Sequence, residues 1–368
     1  MTIKYKSNDF KGSYKSPVNL DATDEIEQNI ELAKGWNWIS FSVKPDVMTT
    51  SVVFANADNN VTTVLGNDDS DQYDKDNNQW LWDMSLNNTE MYLVNASNDC
   101  SLNVTGHRVN PTNEPITMVE GWNWIAYNGQ QVVSLGDALS GIDPNDGDII
   151  KGQRGVAYYD VYEWIGSLRS LMPGNGYKYK NTSETDLVLR YPSSTAGIAG
   201  TRPDHDEEAA PTVFRPVDYY LYPANMVLIA QIVKDGMPVA GAELGIFATE
   251  NAGGASTTTC REAVVTDAQG MAFITIPGDK ATTLTFRVAD GEKLYYASET
   301  VNYKTDDVIG SPRAPFAIEL GGATGIERIV ATGHVTTYDL QGRKIEQDAE
   351  GQKLRKGVYI VNGQKKVK

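Results

Sequence analysis

The sequence is poor in the residues from which most catalytic and metal sites are built. Its 368 residues include three histidines (His107, His205 and His334) and two cysteines (Cys100 and Cys260). Two cysteines cannot build a disulfide framework, and there is no Cys/His cluster with zinc spacing. The cysteines fall in different candidate modules, where they are expected as buried thiols. No run of 18 or more apolar residues occurs, so no membrane span is expected. Residues 1–25 lack the apolar core of a secretory signal peptide. Basic charge is also short. Thirty-two Lys and Arg stand against 48 Asp and Glu, a net of −16, the wrong sign for a phosphate backbone, so nucleic acid is not an expected partner. A nucleophile elbow, an HExxH motif and a phosphate loop are all missing. Nothing singles out a carboxylate pair among the 48 acids, so no catalytic residue is assigned and the chain reads as non-enzymatic.

What is abundant is glycine (33) and tyrosine (19), with much Thr, Val, Asn and Asp. This composition suits an extracellular, mainly β protein. The strongest internal signal is a repeat. Residues 30–41 read IELAKGWNWISF and residues 116–127 read ITMVEGWNWIAY, with Trp36 and Trp122 separated by 86 positions. Further anchors keep nearly the same offset: MYLVNASNDCSLNV (91–104) aligns with GYKYKNTSETDLVL (176–189). Residues 26–110 and 111–192 therefore read as two copies of one small β module, after an N-terminal extension over 1–25. Within each copy the GWNW segment alternates with period two, and Gly35 or Gly121 marks a bulge or kink. The segments 91–95/101–104 and 176–180/186–190 read as hairpins. In the second copy, residues 134–142 predict a short helix with Ser134 as N-cap; the first copy has a poorer helical sequence there.

Residues 193–212 are small, proline-containing and acidic, and read as a linker. Residues 213–320 predict six strands punctuated by Asp-Gly-type turns, the pattern of an immunoglobulin-like β-sandwich. Residues 321–368 differ in charge, with nine Lys and Arg against five Asp and Glu. Their strands at 335–345 and 356–367 are enough for a small sheet. The fold class is thus mainly β: two repeated modules with a short helix, a sandwich and a small C-terminal β domain.

That tail carries a specific resemblance. Tyr338-Asp339-Leu340-Gln341-Gly342-Arg343-Lys344 is followed by Leu354-Arg355-Lys356-Gly357-Val358-Tyr359-Ile360-Val361. Lys365, Lys366 and Lys368 then close the chain. This order resembles the C-terminal sorting domain of type IX secretion cargo from Bacteroidetes, in its short form. The resemblance implies that Gly342, Arg343, the strand Gly357–Val361 and the terminal lysines form a signal read by the secretion machinery. It also implies export to the medium or to an outer-membrane surface anchor. The Asn-Pro element of the longer family form is replaced by Gly325-Ile326-Glu327. The sandwich is similar to a module often placed before such tails, and the GWNWIS and GWNWIA segments look like repeats of the same large surface proteins. In that setting these modules are accessory, and a catalytic domain, if the parent protein has one, would lie upstream. With no leader visible, the chain is expected to be the C-terminal part of a longer exported protein or one whose leader has been removed.

Two candidate ligand sites remain. All seven tryptophans lie in the repeat region. Trp36, Trp38, Trp80, Trp122 and Trp124 are either the packing of the repeats or a platform on which glycan rings stack, since alternate residues on a strand share a face. Trp80 stands out because the second copy places Tyr162 or Glu163 near the matching position. In the run NDDSDQYDKDNNQW, Asp74, Asp76 and Asn78 fit the first, third and fifth places of a calcium loop. Gln79 and Ser85 depart from an EF-hand, leaving another kind of calcium loop or a solvated turn.

Overall fold

The computed structural model describes residues 25–57, 60–193, 210–252 and 255–320, together with short strands of the tail between 326 and 367. The chain is mainly β, built from antiparallel sheets. Among the described residues the only α-helices are single turns, Thr50–Val53 and Leu135–Ala138. Among the same residues no helix is long and apolar enough to cross a membrane.

The two repeats share one plan. In the first, a five-stranded sheet has the order Gly35–Ile39, Tyr92–Ala96, Val61–Leu65, Ser70–Asp74, Gln79–Trp80. In the second, the order is Gly121–Ala126, Gly176–Asn181, Ile149–Lys151, Val156–Asp160, Glu163–Gly166. The inward faces make separate cores, with Phe41, Phe54 and Val94 buried in the first repeat and Ile125, Leu139 and Tyr179 in the second.

Two sequence expectations change here. The segments read as hairpins are not paired with each other. Tyr92–Ala96 lies between Gly35–Ile39 and Val61–Leu65, whereas Cys100–Arg108 runs antiparallel to Glu25–Leu32 in a second sheet. Gly176–Asn181 and Leu187–Leu189 separate in the same way, the latter pairing with Ile116–Met118. Each module buries its apolar residues between two sheets, so the chain turns a corner where a hairpin would leave its first strand unpartnered. The helix at 134–142 stops at Ala138. Ser134 caps it, its Oγ accepting from the Asp137 amide at 3.2 Å. Gly136, Gly141 and Pro144 oppose any extension. The first copy forms a helical turn of equal length despite its poorer sequence.

Two sheets form the sandwich. Ala224–Lys234 pairs antiparallel with Met271–Gly278 and parallel with Val308–Ile309 and Phe316–Glu319. The facing sheet has the order Ala255–Val265, Glu243–Ala252, Thr283–Asp290, Lys293–Asn302, Ile326–Arg328. Leu228, Ile246, Phe286 and Ile318 fill the space between them. All six strands read from sequence are present; the parallel closing strands were not legible, being short and irregular. The Glu243 carboxylate gathers the amides of Thr212, Val213 and Phe214 and fixes the chain's entry into the sandwich. In the tail, Thr337–Tyr338, Lys344–Ile345, Val358–Val361 and Gln364–Val367 form a four-stranded sheet. Val358, Tyr359, Ile360, Val361, Lys365 and Lys366 lie on its strands. Gly342, Arg343, Gly357 and Lys368 lie outside the described residues.

Candidate functional site

The GWNW motif has a local job before it has any other. Gly35 and Gly121 take φ of 104° and 90°, a region open to glycine and strained for other residues. The asparagine between the tryptophans then clamps the turn. Asn37 Oδ1 accepts the Ala33 amide at 2.9 Å, while Nδ2 donates to the carbonyls of Ala33 and Gly35 at 2.8 and 3.0 Å. Asn123 makes the same three bonds to Val119 and Gly121 at 2.9, 2.7 and 2.9 Å. Glycine and asparagine recur because they shape the same turn twice.

The repeats pack against each other reciprocally. The Ser40 amide donates to the Gly174 carbonyl at 3.0 Å, and the Ala126 amide donates to the Thr89 carbonyl at 3.1 Å. Ser40 and Ala126 occupy matching positions, as do Gly174 and Thr89, so the contact is isologous and relates the copies by an approximate two-fold. Ser40 Oγ also donates to the Asn175 carbonyl at 2.6 Å and accepts the Tyr127 amide at 3.1 Å. Gln153 bridges back, donating to the Trp36 carbonyl at 2.6 Å and accepting the Trp38 amide at 3.1 Å.

The tryptophans meet on this shared surface, outside the module cores. Trp38 is 4% exposed and packs with Met91 and Leu93, joined by Trp36 and Trp124. Its indole N–H donates to the Pro223 carbonyl of the sandwich at 3.0 Å. Trp122 donates to the Asp306 carbonyl at 2.8 Å and packs with Val227 and Ile229 of the sandwich. Trp36, Trp38, Trp122 and Trp124 therefore weld the repeats to each other and to the sandwich.

An ionic cluster sits in the same junction. Lys151 is fully buried and Lys178 is 3% exposed at the side chain. Their ammonium groups reach the Asp306 carboxylate at 2.8 and 2.9 Å. Lys151 also donates to the Asn225 carbonyl at 3.0 Å. Indole faces complete the shell. Lys178 Nζ lies 5.2 Å from the Trp38 ring and 4.7 Å from Trp124, and Lys151 Nζ lies 4.6 Å from Trp122, all within cation–π range. Burial pulls the Lys151 ammonium down to about 8 against the opposing pull of Asp306, with Lys178 and Lys180 adding to the lowering. For Asp306, burial works to raise its pKa, but the two lysines outweigh it and hold the carboxyl below its ordinary value. Two cations on one carboxylate, ringed by indoles, make an adhesive core for the junction.

Beside the junction, an open groove of about 1720 Å³ runs between the second repeat and the sandwich. The Gly155 amide donates to Thr275 Oγ1 at 3.1 Å and Ser167 Oγ donates to the Phe273 carbonyl at 2.9 Å. These bonds dock the second repeat on strand Met271–Gly278. Within the groove, Arg154 stacks on Tyr219 at 5.0 Å and lies 3.7 Å from the buried Glu262 carboxylate.

The remaining sequence candidates separate. Trp80 is 7% exposed inside the first core. Its ring lies 5.4 Å from Tyr73, as Trp164 lies 5.2 Å from Tyr159. Trp164 is therefore its counterpart, and Trp80 is not an outlier. The exposed tryptophan is Trp82, at 77%, which sequence reasoning passed over. The calcium candidates form a turn. Asp74 accepts the amides of Asp76 and Asn77 and the Asn77 side chain at 3.0, 3.2 and 2.7 Å, which lowers its pKa. Asn78 takes φ of 53° and accepts from the Tyr73 hydroxyl. Among the described residues, no group of three His, Cys, Asp or Glu side chains is placed to hold a metal. Cys100 and Cys260 are free thiols in different modules, and burial raises both, Cys260 to about 11.

Comparison with protein-family models, with curated proteins and with solved structures finds no match to this chain.

Proposed function

We propose that this chain is a non-catalytic display region of a secreted or outer-membrane-anchored protein, with its basic tail serving as a type IX sorting signal. The repeats and an immunoglobulin-like sandwich form a stiff spacer that holds whatever precedes it away from the anchor. The observation that carries the spacer reading is the tryptophan junction: its indoles are committed to neighbouring modules, and the modules share one buried ionic cluster. The sorting reading rests on the tail motif from Gly342-Arg343 through Val361 to Lys368. A glycan platform on Trp36, Trp38, Trp80, Trp122 and Trp124 is not favoured by this arrangement. Those rings are buried or partly buried, and two of the indole N–H groups are already bonded to sandwich carbonyls.

The test is localisation in a Bacteroidetes host that carries the native gene with its upstream sequence. The complete protein is expected at the surface or in the medium. A version ending at Leu320 is expected to accumulate in the periplasm. Equal export of both would overturn the sorting reading.

A further inference from the structure

The two repeats present equivalent faces, and among the described residues only one of them is covered. In the second repeat, the stretch after Trp164 is where Ser167 docks on the sandwich. In the first repeat, the stretch after Trp80 is bare. Leu81 is 47% exposed and Trp82 77%, with Val47 and Val52 at 54% and 46%. These residues belong to one surface. The Ser51 amide bonds the Asp83 carboxylate at 2.9 Å, the Thr50 amide bonds the Met84 carbonyl at 3.0 Å, and the Leu86 amide bonds the Met48 carbonyl at 2.8 Å. The face is also preorganised. The buried Asp71 carboxylate accepts the amides of Trp82 and Met84 and the Thr50 hydroxyl at 3.1, 3.1 and 2.6 Å.

The charge around this face is acidic. Residues 44–84 hold eight aspartates against two lysines. Residues 1–24 hold Lys4, Lys6, Lys11 and Lys15 against Asp9, Asp21 and Asp24, and the basic charge is concentrated in residues 4–15, where the four lysines stand against Asp9 alone and are interleaved with Tyr5, Phe10 and Tyr14. The chain also enters the first repeat beside the bare face. Glu25 stands opposite His107 in the strand register, and His107 Nε2 lies 3.2 Å from Asp46, the neighbour of Val47. A stretch of 24 residues spans up to roughly 80 Å, ample for the distance.

We propose that residues 1–24 pack across this face of the first repeat. The aromatic side chains of the segment cover Leu81 and Trp82, and its lysines meet the surrounding aspartates. The first repeat then has from its own chain the cover that the second takes from the sandwich. This goes beyond the spacer reading and does not depend on it.

The test places a photo-reactive benzoylphenylalanine at position 82 of the full chain, where the exposed site tolerates the change. Irradiation should give cross-links within one chain to peptides from residues 1–24. Replacing Lys4, Lys6, Lys11 and Lys15 by Glu, or adding 1 M salt, should lower the yield several-fold. Cross-links between two chains, or to other parts of the same chain, would overturn the proposal. Acrylamide quenching of tryptophan fluorescence supplies a second readout. Quenching should increase in the four-lysine variant, and identical quenching in both chains would also overturn the proposal.

Discussion

Trp38 and Trp122 come from different places in the shared motif, yet both donate an indole N–H to a backbone carbonyl of the sandwich, at 3.0 and 2.8 Å. Trp38 is the second tryptophan of its copy and Trp122 the first of the other. The approximate two-fold between the repeats explains this. It brings the two GWNW strands to one junction from either side of the axis, so one asymmetric partner lying across them meets unlike members of each pair. The sandwich reads the pair of repeats as a single surface. The duplicated sequence therefore builds an unduplicated junction, and that junction holds the buried charges.

Among the described residues, Asp306 is the carboxylate shared by two buried ammonium groups, so its removal should be costly. Asp306→Asn keeps the side-chain shape and tolerates the φ of 61° found there. It strands Lys151 and Lys178 without a carboxylate. The expected loss is about 3–5 kcal/mol, measured by urea denaturation. Adding Lys151→Met and Lys178→Met should restore much of the loss, because the stranded charges leave with them. A single variant as stable as the parent would show that the cluster does not hold the junction.

The lowered Lys151 value sets a pH dependence. The folded chain releases this proton near 8, whereas the unfolded chain keeps it to about 10.5. Between those values the unfolded state binds more protons, so this group's contribution to stability rises with pH and is at its least below 8. Buried phenols such as Tyr177, raised to about 12 by burial, act oppositely above about 10, where unfolded tyrosines ionise. The measurement is therefore the stability of the parent minus that of Lys151→Met between pH 7 and 9.5. The difference should move in favour of the parent by about 2 kcal/mol. A flat difference would place the lysine in a wetter site than its geometry implies.

Much of this architecture was legible in the sequence because its signals are local. The Trp36–Trp122 offset announced the repeat, and Asp-Gly turns marked the sandwich strands. Ser134 announced its helical turn. The failures have a common cause in pairing between distant segments. Residues 91–95 and 101–104 alternate well and lie close together, which reads as a hairpin. Only the need to cover strand Glu25–Leu32 sends them to different sheets. The Lys151–Asp306 pair spans two modules, so spacing carried no hint of it. Recurring tryptophans read as core or platform; they are the contact between modules, an option that requires knowing the copies touch. Trp80 read as an outlier because its counterpart Trp164 lies 84 positions on, where the other anchors are 85 or 86 apart, and that misalignment drew the choice of candidate to Trp80 and away from Trp82.

Loss of the indoles should uncouple the modules as well as weaken them. Trp38→Ala removes a nearly buried ring and leaves the Pro223 carbonyl without its donor, an expected cost of about 3–5 kcal/mol. Because the lost contacts lie between modules, calorimetry should resolve the repeats from the sandwich as separate transitions, where the parent melts cooperatively. Tyr162→Ala, at a residue 90% exposed, should shift stability by no more than about 0.5 kcal/mol. A Trp38→Ala protein with one unshifted transition would mean that the junction contributes little.

The two motif glycines offer a matched comparison. Both take positive φ, so Gly35→Ala and Gly121→Ala share a backbone cost of about 1 kcal/mol. Their surroundings differ. A Cβ on Gly35 would lie 2.2 Å from the Tyr220 carbonyl oxygen, whereas one on Gly121 meets nothing within 4 Å. The Tyr219–Leu221 turn leads into the sandwich, so a clash at Gly35 pushes the sandwich off the first repeat. Gly35→Ala should cost at least about 2 kcal/mol more than Gly121→Ala and should raise the radius of gyration measured by X-ray scattering. Gly121→Ala should leave the scattering curve unchanged. Equal effects from both substitutions would mean that the turn at Tyr220 does not press on the first repeat in solution.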